Sequence, residues 1–137
     1  MKITGVILAG GRGQRLGGID KGLAPYRGRP LIEWVIERIE PQVDEFVINA
    51  NRSPERYAAY GVPVIPDVLG DFPGPLAGLH AGLVRASHDW VLTIPCDTPS
   101  LPRDLVARMQ AGLSSENIEV VVAANPDGWE PRHPMGL

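Results

Sequence analysis

The sequence predicts a single α/β domain, in which helices cover both faces of a mainly parallel sheet to give three layers. Short apolar runs alternate with segments whose apolar residues recur at helical spacing, and this pattern is typical of parallel strands joined by helices. The length of 137 residues suits one domain with one core. Polar residues follow the apolar runs, at the sheet edge where ligands of such folds bind.

The first strand is predicted over Ile3–Leu8, an apolar run, and a glycine-rich loop follows it to about Gly28. The first helix is predicted to open at Arg29-Pro30, because proline fits the first helical position, and to stop at Pro41. Its inward face is formed by apolar residues at helical spacing, namely Leu31, Ile32, Val35, Ile36 and Ile39.

A second strand is predicted over residues 45–50, with Phe46-Val47-Ile48 at its centre. Ser53-Pro54-Glu55 combines an N-cap residue, a proline at the first helical position and an acid in the first turn. It therefore predicts a short helix to about Tyr60, before a third strand over residues 62–66.

The second half of the chain continues the alternation. A loop over residues 67–75 precedes a helix over 76–84, whose Ala and Gly residues at 77, 78, 81 and 82 indicate close approach to the sheet or to a ligand. The remaining predicted elements are a buried strand over 90–94, a helix over 100–110, a fifth strand over 119–124 and a loop over 125–137.

Composition excludes several function classes. The net charge of −3 provides no global basic field, so nucleic-acid binding is not expected. Cys96 is the single cysteine, which excludes an internal disulfide and a Cys-rich metal site and fits a reducing cytoplasm. Residues 1–5 are too short in apolar length for a signal peptide, and no run reaches the roughly 20 apolar residues of a membrane span. We therefore expect a cytoplasmic protein without a membrane partner.

The stretch Leu8–Gly22, which directly follows the first strand, mixes glycines with three cations, Arg12, Arg15 and Lys21. Glycine lets backbone N–H groups approach a ligand closely, and successive N–H groups form anion-binding concavities. Arginine adds a planar fork for phosphate oxygens, and lysine adds a mobile point charge. The loop suits the phosphates of a nucleotide, with a solvated Gly- and Arg-rich loop as the alternative.

Two common phosphate motifs do not fit this loop. The P-loop requires Lys followed by Ser or Thr, whereas Gly22 follows Lys21. The dinucleotide fingerprint G-x-G-x-x-G/A requires Gly or Ala at its last position. In the stretch that begins at Gly11 this position is occupied by Leu16. Neither a P-loop NTPase nor a dinucleotide-binding enzyme is predicted.

Polar side chains follow the later strands. Asp97 comes directly after an apolar strand, where a carboxylate can hold Mg²⁺ together with substrate phosphates; a capping or turn role is the alternative. Asp67 stands in a turn-like sequence and could equally form an Asx-turn. Asn49 and Asn51 could read a base or ribose edge, or serve a turn. Lys21 could instead form a solvated pair with Asp20.

The remaining reactive residue types give weaker signals. Cys96 has no adjacent basic residue, so a buried, inert thiol is expected. His80 and His88 are expected to be surface or packing residues, and His133 lies in the late loop. No spacing indicates a zinc site or a catalytic triad.

Taken together, these stretches resemble the molybdenum cofactor guanylyltransferase family, within the wider nucleotidyltransferases. The first motif, Leu-Ala-Gly-Gly-x-x-x-Arg-x-Gly-Gly-x-Asp-Lys at 8–21, marks the wider group, and its Gly-Gly-x-Asp-Lys part is more specific when Asn-Ala-Asn-Arg at 49–52 follows. The other matching stretches are Asp67, Pro-Gly-Pro-Leu-Ala-Gly at 73–78, Pro-Cys-Asp-Thr-Pro at 95–99 and Arg-His-Pro at 132–134.

The resemblance implies a Rossmann-like nucleotide-diphospho-sugar transferase fold and the transfer of GMP from GTP to the phosphate of molybdopterin, with release of pyrophosphate. It implies Mg²⁺ as cofactor, held by Asp97, and a catalytic role for Arg15, Lys21 and Asp97. The nucleotide would be bound by residues of the matching stretches, namely Leu8, Ala9, Gly10, Gly11, Lys21, Asn49, Asp67 and Asp97. Molybdoenzymes or other cofactor-biosynthesis proteins are the implied protein partners.

Family members are longer than this chain, which stops just past Arg132-His133-Pro134. We therefore expect residues 1–137 to form one nucleotidyltransferase domain without the later part of the family fold, which completes the metal site and contacts the pterin. Two alternatives remain open: a cytidylyl- or sugar-1-phosphate nucleotidyltransferase, and a non-catalytic nucleotide-binding or cofactor-carrier module. The sequence leaves the oligomeric state open, with a monomer as the expectation.

Overall fold

In the part of the chain that the structure describes, four parallel strands form a central sheet. The computed structural model describes residues 2–9, 15–16, 19–67 and 75–112, without the side chains of 15, 16, 19, 75 and 76. The strands are β1 (Ile3–Leu8), β2 (Glu45–Asn49), β3 (Val64–Ile65) and β4 (Trp90–Pro95). Their order is β3-β2-β1-β4, and every neighbouring pair is parallel. The chain thus builds outward from β1 to β3 and then crosses back to place β4 on the other side of β1.

Four α-helices connect and follow these strands: α1 (Leu31–Ile39), α2 (Pro54–Ala58), α3 (Pro75–Arg85) and α4 (Leu105–Ala111). Short 3₁₀ turns cover Lys21–Leu23 and Glu40–Gln42. Two small antiparallel ladders pair Arg15–Leu16 with Ile19–Asp20, and Pro25–Tyr26 with Arg29–Pro30. Within the described residues, no helix is long and apolar enough to cross a membrane.

The apolar side chains form one cluster on each face of the sheet. Ile3 and Ile7 of β1 belong to the larger cluster, which receives the buried residues of α1, α2 and α4. Val6 and Leu8 point to the other face, into a smaller cluster against which Leu79 of α3 packs. This alternation follows from the two-residue period of a strand. The predicted three-layer α/β/α architecture is confirmed.

The predicted element boundaries were wrong at several points where proline or a tight turn intervenes. Residues 29–30 form a strand instead of opening α1, because positive φ angles at Arg27 (49°) and Gly28 (83°) make a two-residue hairpin turn. The third strand shrinks to Val64–Ile65 between Pro63 and Pro66, which lack the N–H that a ladder needs.

The fourth helix begins at Leu105 instead of residue 100. Prolines at 99 and 102 disfavour helical geometry at the residues that precede them, so the helix forms only beyond this segment. The predicted fifth strand over 119–124 and the final loop lie outside the described residues.

Two glycines let α3 approach the sheet closely, as its small residues predicted. A Cβ atom at Gly78 would overlap the Leu8 side chain, and one at Gly82 would lie 2.5 Å from Cγ2 of Val6. Val6 is fully buried and its branched side chain has little rotamer freedom, so it cannot move aside. The separation between α3 and β1 is therefore set by the absence of side chains at these two positions.

We expect Gly82→Ala to destabilise the protein by about 1–3 kcal/mol, since the added methyl group forces α3 away from β1. Helix propensity alone would change stability in the opposite direction, by about 1 kcal/mol in favour of alanine. Urea denaturation measures the free energy of unfolding. Val84→Ala is the matched control, because Val84 on the same helix is 66% exposed. Combining Gly82→Ala with Val6→Ala should cost less than the sum of both single changes, and strict additivity would contradict the proposed overlap.

Candidate nucleotide site

The predicted site residues lie at the carboxyl edge of the sheet. In the strand register, Leu8 of β1 pairs with Asn49 of β2 on one side and with Pro95 of β4 on the other. Because neighbouring strands lie about 4.8 Å apart, the three strand ends fall within about 10 Å of one another. The strand order changes direction between β1 and β4, and ligands of open α/β sheets bind at such switch points.

The turn that carries Lys21 packs directly on the end of β4. A Cβ atom at Gly22 would lie 3.3 Å from both Cβ and Sγ of Cys96, and 2.9 Å from the hydroxyl oxygen of Tyr57. The neighbour of Lys21 therefore touches the neighbour of Asp97. Both Lys21 and Asp97 are half-buried, so each is placed at this edge with part of its surface accessible.

Asp20 does not fit the alternative in which Lys21 forms a solvated surface pair. Asp20 is only 6% exposed, and its backbone pairs with Arg15 in a short antiparallel ladder. A carboxylate this buried is part of the structure beneath the loop rather than a solvated partner on its surface. Lys21 thus extends from a turn that is anchored on both sides, by Asp20 before it and Gly22 after it.

Cys96 is the inert thiol that the sequence predicted. Its residue is 1% exposed, and burial raises its pKa to about 12, with the Asp97 carboxylate adding to the rise and the Lys21 ammonium opposing it. A thiol that remains protonated at neutral pH is a poor nucleophile.

Tyr57 is a residue of this region that the sequence analysis missed. It is the largest fully buried side chain in the described part of the protein, and its hydroxyl has no hydrogen-bond partner there. Burial raises the pKa of Tyr57 above its ordinary value. The sequence could have indicated Tyr57 by its place in the short helix after Pro54, because one residue of such a helix is expected to face the core. Its hydroxyl group lies against Gly22, 2.9 Å from the place that a Cβ atom would occupy.

A second group of side chains joins the ends of β2 and β3. The amide nitrogen of Asn49 donates to Oδ1 of Asp67 at 3.0 Å and to the carbonyl of Ile65 at 3.2 Å. Asn51 donates to Oδ2 of Asp67 at 2.9 Å and accepts the backbone N–H of Asp67 at 2.8 Å. The structure therefore brings Asn49 and Asn51, which the sequence placed after the second strand, together with Asp67, which it placed after the third.

Contacts within the protein occupy the side chain of Asn49. It is 2% exposed, its amide nitrogen makes the two bonds described above, and a Cβ atom at Gly78 would lie 2.7 Å from its oxygen. Asn49 thus connects β2, β3 and α3. A side chain this buried does not fit a direct hydrogen bond from Asn49 to a base or ribose edge. A contact of Asn49 with the nucleotide through its backbone stays a prediction.

Leu8 and Ala9 can contribute only backbone groups to the site. The Leu8 side chain belongs to the smaller apolar cluster, and the Ala9 N–H donates to the carbonyl of Asn49 at 2.7 Å. The other predicted loop residues cannot be placed in the same way: Gly10, Gly11 and Arg12 lie outside the described residues, and Arg15 is described for its backbone alone. His133 also lies outside them.

Asp97 is the residue of this edge that could hold a divalent cation. Within the described ranges, no three His, Cys, Asp or Glu side chains come together as a metal cluster. Mg²⁺, however, is usually bound by one or two carboxylates and completes its shell with substrate phosphates and water. A half-buried carboxylate next to a lysine-bearing turn fits this mode of binding.

A separate surface hollow of about 380 Å³ lies at the opposite edge of the sheet, lined by Lys2, Ser87, His88, Asp89 and Trp90. These residues flank the amino ends of β1 and β4, far from the carboxyl edge where the predicted site residues meet. His88 is therefore distant from the candidate site, in agreement with its expected packing or surface role.

Comparison with known proteins identifies the family. The profile of the MobA-like NTP transferase domain matches residues 5–136. The chain belongs to this family. Among its curated relatives, the molybdenum cofactor guanylyltransferases of Methylibium petroleiphilum and Yersinia pestis are 54% and 52% identical over 125 and 132 residues. These alignments cover 91% and 96% of this chain but 62% and 65% of the relatives, so the chain spans less than two thirds of their length.

Solved structures agree on the fold of this NTP transferase domain. The molybdopterin-guanine dinucleotide biosynthesis protein A of Archaeoglobus fulgidus superposes with a TM-score of 0.71 at 20% identity, covering 97% of this chain and 66% of that one. The 4-diphosphocytidyl-2C-methyl-D-erythritol synthase of Anaerococcus prevotii superposes with a TM-score of 0.63 at 15% identity, covering 98% and 69%. At these identities the likeness establishes the fold alone.

We expect Cys96 in the folded protein to resist a thiol reagent at pH 8, since a pKa of about 12 leaves almost no thiolate and burial blocks access. Absorbance of the released chromophore from a disulfide reagent measures the reaction. Unfolding in urea should expose one reactive thiol per chain. Rapid labelling of the native protein would contradict the packing of Gly22 on Cys96.

Proposed function

We propose that this chain is the nucleotide-binding part of a molybdenum cofactor guanylyltransferase, which transfers GMP from GTP to the phosphate of molybdopterin and releases pyrophosphate. The observation that carries the proposal is the contact of Gly22 with Cys96, which brings the Lys21 turn against the strand end bearing Asp97. A cation and a carboxylate at one switch point suit a nucleoside triphosphate. The names of the relatives at 54% and 52% identity support the choice of guanylyl transfer.

The chemistry requires positioning and charge neutralisation rather than a protein nucleophile. The pterin phosphate attacks the α-phosphorus of GTP in line, and pyrophosphate departs on the opposite side. Lys21 and Arg15 would bind the outer phosphates and stabilise the departing pyrophosphate. Cys96 takes no part, because its thiol is buried and protonated.

Nucleotidyl transfer of this kind generally needs a divalent metal ion, and we propose Mg²⁺ held by Asp97. Such an ion would supply charge stabilisation on the phosphate oxygens. The Asp97 carboxylate fits this role, since it is half-buried and follows directly on residues 91–96, which are all buried. Asp67 would bind the nucleoside part of GTP. Binding of molybdoenzyme partners and a cytoplasmic location remain predictions.

We expect the purified chain to bind GTP more tightly with Mg²⁺ than without it, as measured by isothermal titration calorimetry. Asp97→Asn should remove most of this Mg²⁺ dependence, since the metal ligand is weakened. Asp89→Asn is the matched control, because Asp89 is exposed at the other end of the same strand. Tighter Mg²⁺-dependent binding of CTP than of GTP would favour a cytidylyltransferase, and release of pyrophosphate on addition of molybdopterin, measured by a coupled phosphate assay, would exclude a non-catalytic module.

We expect Lys21→Ala to weaken the binding of GTP by about tenfold or more and to leave the binding of GMP nearly unchanged, because the lysine faces the outer phosphates. Isothermal titration calorimetry with both ligands measures this difference. Lys2→Ala removes a charge from the exposed opposite end of β1 and should change neither affinity. Equal losses for GTP and GMP would contradict the placement of Lys21 near the outer phosphates.

A further inference from the structure

Asn51 and Asp67 form a two-point contact. The Asn51 amide nitrogen donates to the carboxylate of Asp67 at 2.9 Å, and the Asn51 oxygen accepts the backbone N–H of Asp67 at 2.8 Å. One side chain thus fixes both the backbone and the carboxylate of the same residue. The two residues are separated by sixteen positions and follow two neighbouring strands.

The Asp67 carboxylate is held from two directions. Asn49 donates to its Oδ1 and Asn51 donates to its Oδ2, so the carboxylate plane is fixed by two amide groups. Asn49 is itself buried and anchored to Ile65, which makes it a rigid support. Each carboxylate oxygen can accept a second hydrogen bond. The half-buried Asp67 therefore presents two oriented acceptor positions beyond its protein contacts.

We infer that Asn51 is a positioning residue, which aims the Asp67 carboxylate at a hydrogen-bond donor on the nucleoside part of the substrate. The inference rests on the proposed function. Both ends of the Asn51 amide are directed at Asp67, so Asn51 acts on recognition through Asp67. A freely rotating carboxylate would lose rotamer entropy on binding, and the two asparagines remove that cost beforehand.

The chemistry of a carboxylate selects the part of the nucleotide that it meets. An ionised carboxylate only accepts hydrogen bonds, and it repels phosphate oxygens of like charge. A nucleoside offers two kinds of donor, the ribose hydroxyl groups and the N–H groups of the base. Asp67, for which no bound cation is proposed, therefore faces the nucleoside, whereas Lys21 faces the phosphates directly and Asp97 faces them through the proposed Mg²⁺.

Two variants distinguish a role of Asn51 in positioning Asp67 from a role in the stability of the fold. Asn51→Ala removes both bonds to Asp67. The exchanged pair Asn51→Asp with Asp67→Asn keeps the hydrogen bonds, because Asn at 67 can donate to Asp at 51 and still accept from Asn49. The exchange moves the carboxylate away from the position that faces the nucleoside. Thermal unfolding measures folding, and calorimetric titration of the full chain with GTP, 2′-deoxy-GTP and ITP measures recognition.

We expect wild type to prefer GTP over 2′-deoxy-GTP if the donor is a ribose hydroxyl, or over ITP if it is the amino group of the base. Asn51→Ala should weaken GTP binding about tenfold and reduce that preference, with little effect on the unfolding temperature. The exchanged pair should unfold at a temperature near that of wild type, yet bind GTP weakly and without preference. The single variant Asn51→Asp should unfold at a lower temperature, because it places two carboxylates together.

Two outcomes would overturn the inference: wild-type affinity for GTP in Asn51→Ala, or restored binding in the exchanged pair. Titration with CTP and 2′-deoxy-CTP runs in parallel. A wild-type protein that prefers CTP would refute guanylyl transfer, while the same variants would still test the role of Asn51 on the cytidine nucleotides.

Discussion

The packing of Gly22, which has no side chain, against the end of β4 determines the arrangement of the candidate site. Gly22 packs on Cys96 and on the hydroxyl group of Tyr57, at distances that leave no room for a Cβ atom. This contact joins two parts of the chain that are far apart in sequence, and each part carries a charged residue next to the contact point. The positions of Lys21 and Asp97 are therefore determined by core packing, which is stiffer than any surface ion pair.

The electrostatics of the edge follow from that packing. The groups at the contact point, Gly22, Cys96 and Tyr57, are buried and carry no side-chain charge, and burial together with the Asp97 and Asp20 carboxylates raises the pKa of Cys96. Partial burial reduces the solvent screening of Lys21 and Asp97, so their interactions with a charged ligand are stronger than at an open surface. Such preorganised charges suit the transfer of a nucleotidyl group, where stabilisation of phosphate charge provides most of the catalysis.

The sequence predicted the layers, the four main strands, the helices and the convergence of polar residues at one edge, because these depend on hydrophobic periodicity and on parallel topology. It could not predict which polar side chains face a ligand. Asn49 and Asn51 have the same chemistry and lie two residues apart, yet one is buried and the other exposed. The hairpin at Arg27-Gly28 was missed because an arginine with positive φ is uncommon, and Tyr57 was missed because long-range packing decides what its ring contacts.

The two groups of polar residues are built on different halves of the sheet. Asn49, Asn51 and Asp67 follow β2 and β3, whereas the Lys21 turn and Asp97 meet between β1 and β4. If the first group holds the nucleoside and the second holds the phosphates, substitutions in one group leave the other geometrically intact. Evolution could then alter the choice of base without rebuilding the transfer machinery, and one scaffold would serve a range of nucleotide donors.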